Sequence, residues 1–354
     1  MNLRDMAGPW IIAAVFIAFP IFGFAQSDPS PWHDPSPHAV QFVTVDDGVR
    51  LEVLDWGGTG RNIVLLAGSG NTAHVFDDFA QKLTRSGHVY GITRRGFGAS
   101  SHPESGYGDQ RLADDVLRAL DVSGISKPLL VGHSMAGSEM TTLGSQHSDR
   151  VGGLVYLDAG DDPGDYPGDP AYRALFKQLP PSVTSPARAS VDERKSFQAY
   201  RDWQIRTMRF AFPESELRQR FNVNPDGSVG PPRAAGSISQ KIPVARMIGE
   251  GSKKRDYSRI RVPILYLPAA PPKVNGWSQY YRFSPVNEVE RTTLQKIYDA
   301  DRSNLTRYEK NMQMAAGKVH IVELRGADHY VYFTNEVAVL RELRKFVADL
   351  RTPF

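Results

Sequence analysis

From Val40 onward apolar and polar residues alternate: Val40, Phe42, Val43 and Val45, then Asp46-Asp47-Gly48, then Val49, Leu51, Val53 and Leu54. Two short strands about an Asp-Gly turn make a β-hairpin. Residues 62–67 follow as an almost unbroken apolar run that ends at Gly68-Ser69-Gly70, a composition that suits a strand covered on both faces. Phe76, Phe79, Ala80 and Leu83 recur at helical spacing, and residues 88–93 predict a further strand closing at Arg94-Arg95-Gly96-Phe97-Gly98. Leu112, Val116, Leu117 and Leu120 mark a helix, residues 128–132 a strand, 135–146 a helix and 151–157 a strand. This order predicts an α/β fold with a mostly parallel central sheet flanked by helices.

The rhythm stops over residues 160–259, where Pro, Gly and charged residues separate helical stretches such as 191–212. Within that stretch Phe197, Tyr200, Trp203 and Met208 read as packing residues rather than a cofactor box. The segment reads as an inserted, largely helical lid. Alternation returns with residues 262–267, a helix over 305–316, a strand over 319–324 and a last helix over 337–350. The core therefore comprises 40–159 and 260–354.

Composition narrows the reading. With 354 residues, 41% of them apolar, the chain can bury a full core, which excludes overall disorder. The net charge is only +3, and the longest basic run is Lys253-Lys254-Arg255, so there is no electrostatic footprint for nucleic acid. The absence of cysteine removes a thiol nucleophile, a thiolate-bound metal and any disulfide framework. At the N-terminus Arg4 precedes an apolar stretch from Trp10 to Phe24, with the small residues Gly23 and Ala25 before Gln26. That is the layout of a secretory signal over residues 1–25, cleaved near Ala25, followed by a proline-rich linker over 26–39. The expected location is periplasmic or secreted, with no membrane association after cleavage. The alternative is an uncleaved N-terminal anchor, which the length of the stretch and Pro20 disfavour.

The chemistry concentrates in Leu129-Leu130-Val131-Gly132-His133-Ser134-Met135-Ala136-Gly137. A serine between a strand and a helix sits on a sharp turn, and the residues two before and two after it must be small. Gly132 and Ala136 meet that need. The turn puts the hydroxyl at the positive end of a helix, where the Met135 amide can donate to a developing oxyanion. The alternative is an ordinary serine in a strand-to-helix turn.

This stretch resembles the nucleophile elbow of the α/β-hydrolase family, with Ala136 in place of the last glycine of Gly-x-Ser-x-Gly. The resemblance, over about residues 40–159 and 260–350, implies a serine hydrolase with Ser134 as nucleophile. It implies that the base follows the final strand, at His329 in Gly326-Ala327-Asp328-His329-Tyr330. The usual place for the triad acid, the loop Pro268-Ala269-Ala270-Pro271-Pro272-Lys273, holds no carboxylate. The other family placement, used by haloalkane dehalogenases, maps to Asp158, with Asp161, Asp162 and Asp165 as alternatives. The loop after the first long strand, where Ala67 replaces the family's usual histidine, implies Ser69 as a second oxyanion-hole amide beside Met135. Arg94 to Ser100 resembles a structural loop of the family. His133 reads as structural.

The resemblance implies a small-molecule substrate and neither metal nor organic cofactor. Ester or lactone hydrolysis through an acyl-enzyme is the expected reaction. Acyl transfer to an alcohol, amide cleavage and carbon–carbon hydrolysis use the same triad. Dehalogenases and epoxide hydrolases of the family use an aspartate nucleophile, and Ser134 argues against both. A different class of reading is a ligand-binding protein on the same scaffold; a third is a membrane-tethered interaction protein.

Overall fold

The hairpin at the start of the core forms as its alternation requires. Strands β1 (Ala39–Asp46) and β2 (Val49–Gly57) pair antiparallel, with Gly48 at φ +66° in the turn. The computed structural model describes residues 32–160, 170–180, 188–233, 244–271 and 285–350. The chain divides into Met1–Pro35, of which residues 32–35 are described, and Ser36–Phe354, which contains every element named below. The expected signal segment lies outside the described residues. No described helix is long and apolar enough to cross a membrane.

After the hairpin come β3 (Asn62–Leu66), α1 (Asp77–Leu83), β4 (His88–Ile92), α2 (Asp109–Val122), β5 (Leu129–His133), α3 (Ala136–Gln146) and β6 (Gly153–Leu157). The lid contributes α4 (Pro170–Phe176), α5 (Val191–Arg194), α6 (Phe197–Met208), α7 (Glu214–Arg220), the strands β7 (Phe221–Val223) and β8 (Val229–Pro232), and α8 (Val244–Gly251). The chain then returns through β9 (Ile264–Leu267), β10 (Ala269–Ala270), α9 (Glu288–Met312), β11 (Val319–Ile321), β12 (Leu324–Arg325), α10 (Val331–Thr334) and α11 (Glu336–Asp349).

Eight strands form one sheet in the order β1-β2-β4-β3-β5-β6-β9-β11. Pairing is antiparallel at β1/β2 and β2/β4 and parallel at every other junction. This is the mixed, mostly parallel sheet expected. Its central parallel strands β3, β5, β6 and β9 are buried on both faces, which is why they read as continuous apolar runs. Leu129 and Val131 of β5 join Val155 and Leu157 of β6 on one face, with Phe76, Phe79 and Tyr332. Leu130, Leu154 and Tyr156 face the other side, with Leu120, Met140 and Ile260. Each such side chain contributes about 1.5–3 kcal/mol by leaving water.

Three details differ from the sequence reading. The lid contains an antiparallel hairpin, β7/β8, besides its helices. Helix α9 starts at Glu288, capped by the Asn287 side chain accepting from the Glu290 amide, and ends at Met312 rather than Ala316. The strand expected over 319–324 splits, because β11 pairs with β9 whereas β12 pairs with the two-residue β10. That shift carries the chain sideways just before His329.

Candidate active site

Ser134 occupies a left-handed backbone position, φ +53°, between β5 and α3. A non-glycine residue rarely adopts this conformation, and it persists only where the surroundings over-determine it. Its amide donates to the Leu157 carbonyl of the neighbouring strand at 3.2 Å. The neighbours are small by necessity. A Cβ on Gly132 would lie 2.1 Å from Met140 Sδ and 3.0 Å from Ala136 Cβ, and one on Gly137 would lie 2.1 Å from the Ala159 carbonyl oxygen. The glycine missing at position 136 is thus matched by one at 137, where a backbone carbonyl leaves no room for a side chain.

The three side chains expected to act together do meet. His329 Nε2 lies 2.9 Å from Ser134 Oγ, and His329 Nδ1 lies 2.6 Å from Asp158 Oδ2. Asp158, directly after β6, is also left-handed, φ +44°. Its other oxygen, Oδ1, accepts from the Ala269 amide at 2.9 Å, and its own amide donates to the Leu267 carbonyl at 3.0 Å. The loop after β9 therefore supplies no acid but does hold the acid. The same short segment pairs with β12, Ala269 opposite Leu324 and Ala270 opposite Arg325, and so fixes the loop that carries His329. Of the alternative acids, Asp161, Asp162 and Asp165 lie outside the described residues.

A family model described as alpha/beta hydrolase family matches residues 63–342. The chain belongs to that family. Among its curated relatives, the RutD protein of Caulobacter segnis is 32% identical over 120 residues, 33% of this chain and 45% of that protein. Epoxide hydrolase A of Mycobacterium tuberculosis is 32% identical over 135 residues, 37% of this chain and 42% of that protein. N-formylmaleamate deformylase of Pseudomonas putida is 29% identical over 158 residues, 43% of this chain and 57% of that protein. The matched stretches thus span roughly half the length of these relatives, and the hydrolases among them support a hydrolase. Among solved structures, E-2-(acetamidomethylene)succinate hydrolase superposes with a TM-score of 0.57 at 18% identity, covering 88% of this chain and 99% of the other. An alpha/beta hydrolase fold protein from Chitinophaga pinensis gives 0.55 at 13% identity, covering 89% and 99%. At these identities the likeness is one of fold.

The family's histidine before the first glycine-rich loop is Ala67 here, and the structure supplies a different anchor. Arg94 Nη2 donates to the Ala67 carbonyl at 2.9 Å while its guanidinium makes a two-point contact with Glu139, at 2.9 and 2.7 Å. Both side chains are buried. The loop packs against the expected nucleophile: a Cβ on Gly68 would lie 3.1 Å from Ser134 Cβ. Ser69 is exposed at the tip of that turn, Met135 is half-buried beside Ser134, and neither amide donates to a backbone carbonyl among the described residues.

A second set of residues holds that loop from the lid side, and sequence reasoning does not find it. Glu216 of α7, fully buried, accepts from Asn71 Nδ2 at 2.8 Å and from the Thr72 amide and hydroxyl at 3.2 and 2.5 Å. Burial pushes the Glu216 carboxyl above its usual range, against the pull of Arg220 and these donors. Tyr330, next to His329, donates its hydroxyl to Asn71 Oδ1 at 3.0 Å. Burial pushes its pKa up to about 12, so it remains a donor throughout the physiological range. The only signal in the sequence is that Tyr330 adjoins His329.

His133 is structural in the way its neighbours dictate. It is 1% exposed, its ring sits 4.6 Å from the His329 ring, and its Nε2 lies 3.0 Å from the His329 carbonyl oxygen. Burial and then the nearby His329 hold its pKa well below the usual histidine value. Neutral at working pH, it donates from Nε2 and fixes the backbone of the residue beside it. Of the lid residues expected to pack, Phe197 enters the same core cluster as Tyr332 and Ala327, and Tyr200 and Met208 pack against it; Phe210, Phe212 and Leu217 of the lid join them. Phe210 stacks on Phe333 at 5.0 Å, and Phe212 meets Tyr330 edge-on at 5.2 Å.

Proposed function

We propose that this chain is a serine hydrolase that cleaves carboxylic esters or lactones through an acyl-enzyme, with Ser134 as nucleophile, His329 as base and Asp158 as the acid that orients it. The observation that carries this reading is the unbroken chain of contacts from Ser134 Oγ to His329 Nε2 and from His329 Nδ1 to Asp158 Oδ2, at 2.9 and 2.6 Å.

The steps follow from those contacts. Ser134 Oγ attacks the carbonyl carbon as its proton passes to His329 Nε2, and the carbonyl oxygen takes the negative charge, held by the amides of Ser69 and Met135. Each such donor is worth about 10²–10³ in rate. The imidazolium hands its proton to the departing alkoxide, which leaves as the alcohol. Water, deprotonated by the same nitrogen, then attacks the acyl-serine and releases the acid. Asp158 keeps the Nδ1 proton in place and stabilises the transient imidazolium. Its orientation does not depend on His329 alone, because the Ala269 amide holds its second oxygen.

A specific feature favours an anionic substrate. A cavity of about 400 Å³ adjoins the glycine-rich loop at Gly70 and reaches Arg220 and Arg233 of the lid, its lining containing no member of the Ser134–His329–Asp158 set. Arg220 has no carboxylate within ion-pair distance among the described residues; its guanidinium lies over the Phe212 ring, 4.9 Å from the centroid. The names of two related proteins, N-formylmaleamate deformylase and the succinate hydrolase, are those of enzymes acting on carboxylate-bearing compounds. We also propose that the chain works outside the cytoplasm after cleavage near Ala25, supported by the layout of residues 1–26.

The test is steady-state hydrolysis of p-nitrophenyl esters and lactones, with and without a free carboxylate in the acyl group, by wild type, Ser134→Ala, His329→Ala and Asp158→Asn. Turnover should vanish with Ser134→Ala and fall about 10³- to 10⁴-fold with Asp158→Asn. Arg220→Ala should raise KM for the carboxylated esters only. Turnover equal in wild type and Ser134→Ala would reject the reading in favour of a binding protein on this scaffold.

A further inference from the structure

Four ionisable side chains are sealed together on the sheet side of α1. His38 and Asp77 are 2% and 1% exposed, and His74 and Glu52 are 5% and 3% exposed. His38 directly precedes β1, Glu52 lies on β2, His74 sits in the helical turn Ala73–Phe76 and Asp77 opens α1. One donor atom from each of His38, His74 and Asp77 lies within 4.8 Å of the others. His38 Nε2 is 3.4 Å from Asp77 Oδ1, and His74 Nδ1 is 3.3 Å from Asp77 Oδ2. Donors bound to a tetrahedral zinc ion at about 2.0–2.1 Å stand about 3.3 Å apart. Each imidazole nitrogen thus stands at the spacing of two donors sharing such an ion, one from each oxygen of the Asp77 carboxylate.

The surroundings have the form that metal-binding histidines require. With Nδ1 turned to the ion, Nε2 of His74 points at Glu52 Oε1, 3.4 Å away. A carboxylate behind a ligating imidazole fixes its tautomer and orientation. Glu52 is itself fixed, since Thr93 donates to its Oε2 at 2.7 Å. Asp77 is steadied by the indole of Trp56, which donates to Oδ1 at 3.1 Å, and by the Ser215 hydroxyl. Imidazole and carboxylate donors together suit zinc and its first-row neighbours, not calcium or magnesium.

We propose that His38, His74 and Asp77 form a structural site for one divalent cation of the zinc type, with Glu52 as the carboxylate behind His74. The site touches no member of the Ser134–His329–Asp158 set. It joins the start of the edge strand β1 to the turn before α1 and, through Ser215 on α7, to the lid. Its effect is on how the edge hairpin and lid are held, and it stands whether or not the hydrolase reading does.

The full chain, stripped with a strong chelator and desalted, is titrated with zinc against a chromophoric competitor, and bound metal is counted by mass spectrometry after gel filtration. Wild type should retain one zinc per chain, and His329→Ala should retain it equally. His38→Gln and His74→Gln should each lose it. At a hundredfold excess over Kd, zinc should raise the wild-type Tm by about 4 °C and leave both variants unmoved. Cobalt in place of zinc should give the intense visible bands of a tetrahedral site in wild type alone. If His74→Gln does not fold, His38→Gln, at the edge of the sheet, decides the matter. Zinc absent from wild type, retained by both variants, or lost only with His329→Ala would overturn the proposal and leave a purely hydrogen-bonded cluster.

Discussion

Ser134 and Asp158 share a property that their strand neighbours lack, a left-handed backbone, φ +53° and +44°. Such conformations cost about 1–3 kcal/mol each and survive where structure is held for chemistry. Position in a strand–turn–helix pattern makes Ser134 legible in the sequence, and position after the last strand does the same for His329. Asp158 is readable only through the family's second placement for an acid. The Ala269 amide that holds it leaves no trace in the sequence, because any residue but proline supplies an amide. His133 carries a pH prediction. Its folded pKa lies well below the usual histidine value, through burial first and His329 second. The unfolded chain therefore takes up a proton near pH 6.5 that the folded chain refuses. This contribution to stability is complete above about pH 6.5. It is lost as the pH falls toward the folded value, at up to about 1.4 kcal/mol per unit. Urea unfolding from pH 7.5 to 5 should show that slope, and His133→Asn should flatten it; an unchanged slope in the variant would place its origin elsewhere.

Helix α7 ties the lid to the loop beside Ser134 through one residue. Glu216 accepts from Asn71 and from both donors of Thr72, and Asn71 in turn accepts from Tyr330. Glu216→Ala leaves those donors buried without an acceptor, at about 1–3 kcal/mol. Displacement of the Gly68–Gly70 loop should lower kcat by about 10- to 100-fold with little change in KM. A variant that changed only KM would show that α7 contacts substrate instead of setting the loop. The lid is the least legible part of the sequence for the same reason: its contacts are made across the fold, not along the chain. Some of its signals are present nonetheless. Asn224-Pro225-Asp226-Gly227 is a turn sequence, and it is the turn between β7 and β8. Helix α9 is hidden over its first half because its charged stretch from Glu288 to Arg291 masks Leu294 and Ile297, which pack on Tyr172 and Leu179 of the lid.

Across the whole molecule, the parallel core was readable because burial on both faces makes its strands continuous apolar runs, and the antiparallel entry because its hairpin alternates. What the strand order adds is convergence. β5, β6 and β9 are adjacent in the sheet, so the loops bearing Ser134, Asp158 and Ala269 emerge side by side. The β10/β12 pairing then swings His329 across them. A scaffold that gathers these loops hosts many reactions, so fold alone assigns none. The central claim is that Ser134 is a nucleophile activated by His329. Intact-mass spectrometry after brief exposure to a fluorophosphonate probe tests it most directly. One adduct on wild type, located at Ser134, none on Ser134→Ala and a much slower reaction with His329→Ala is the predicted result. Wild type left unmodified, or labelled as readily without Ser134, would contradict the account.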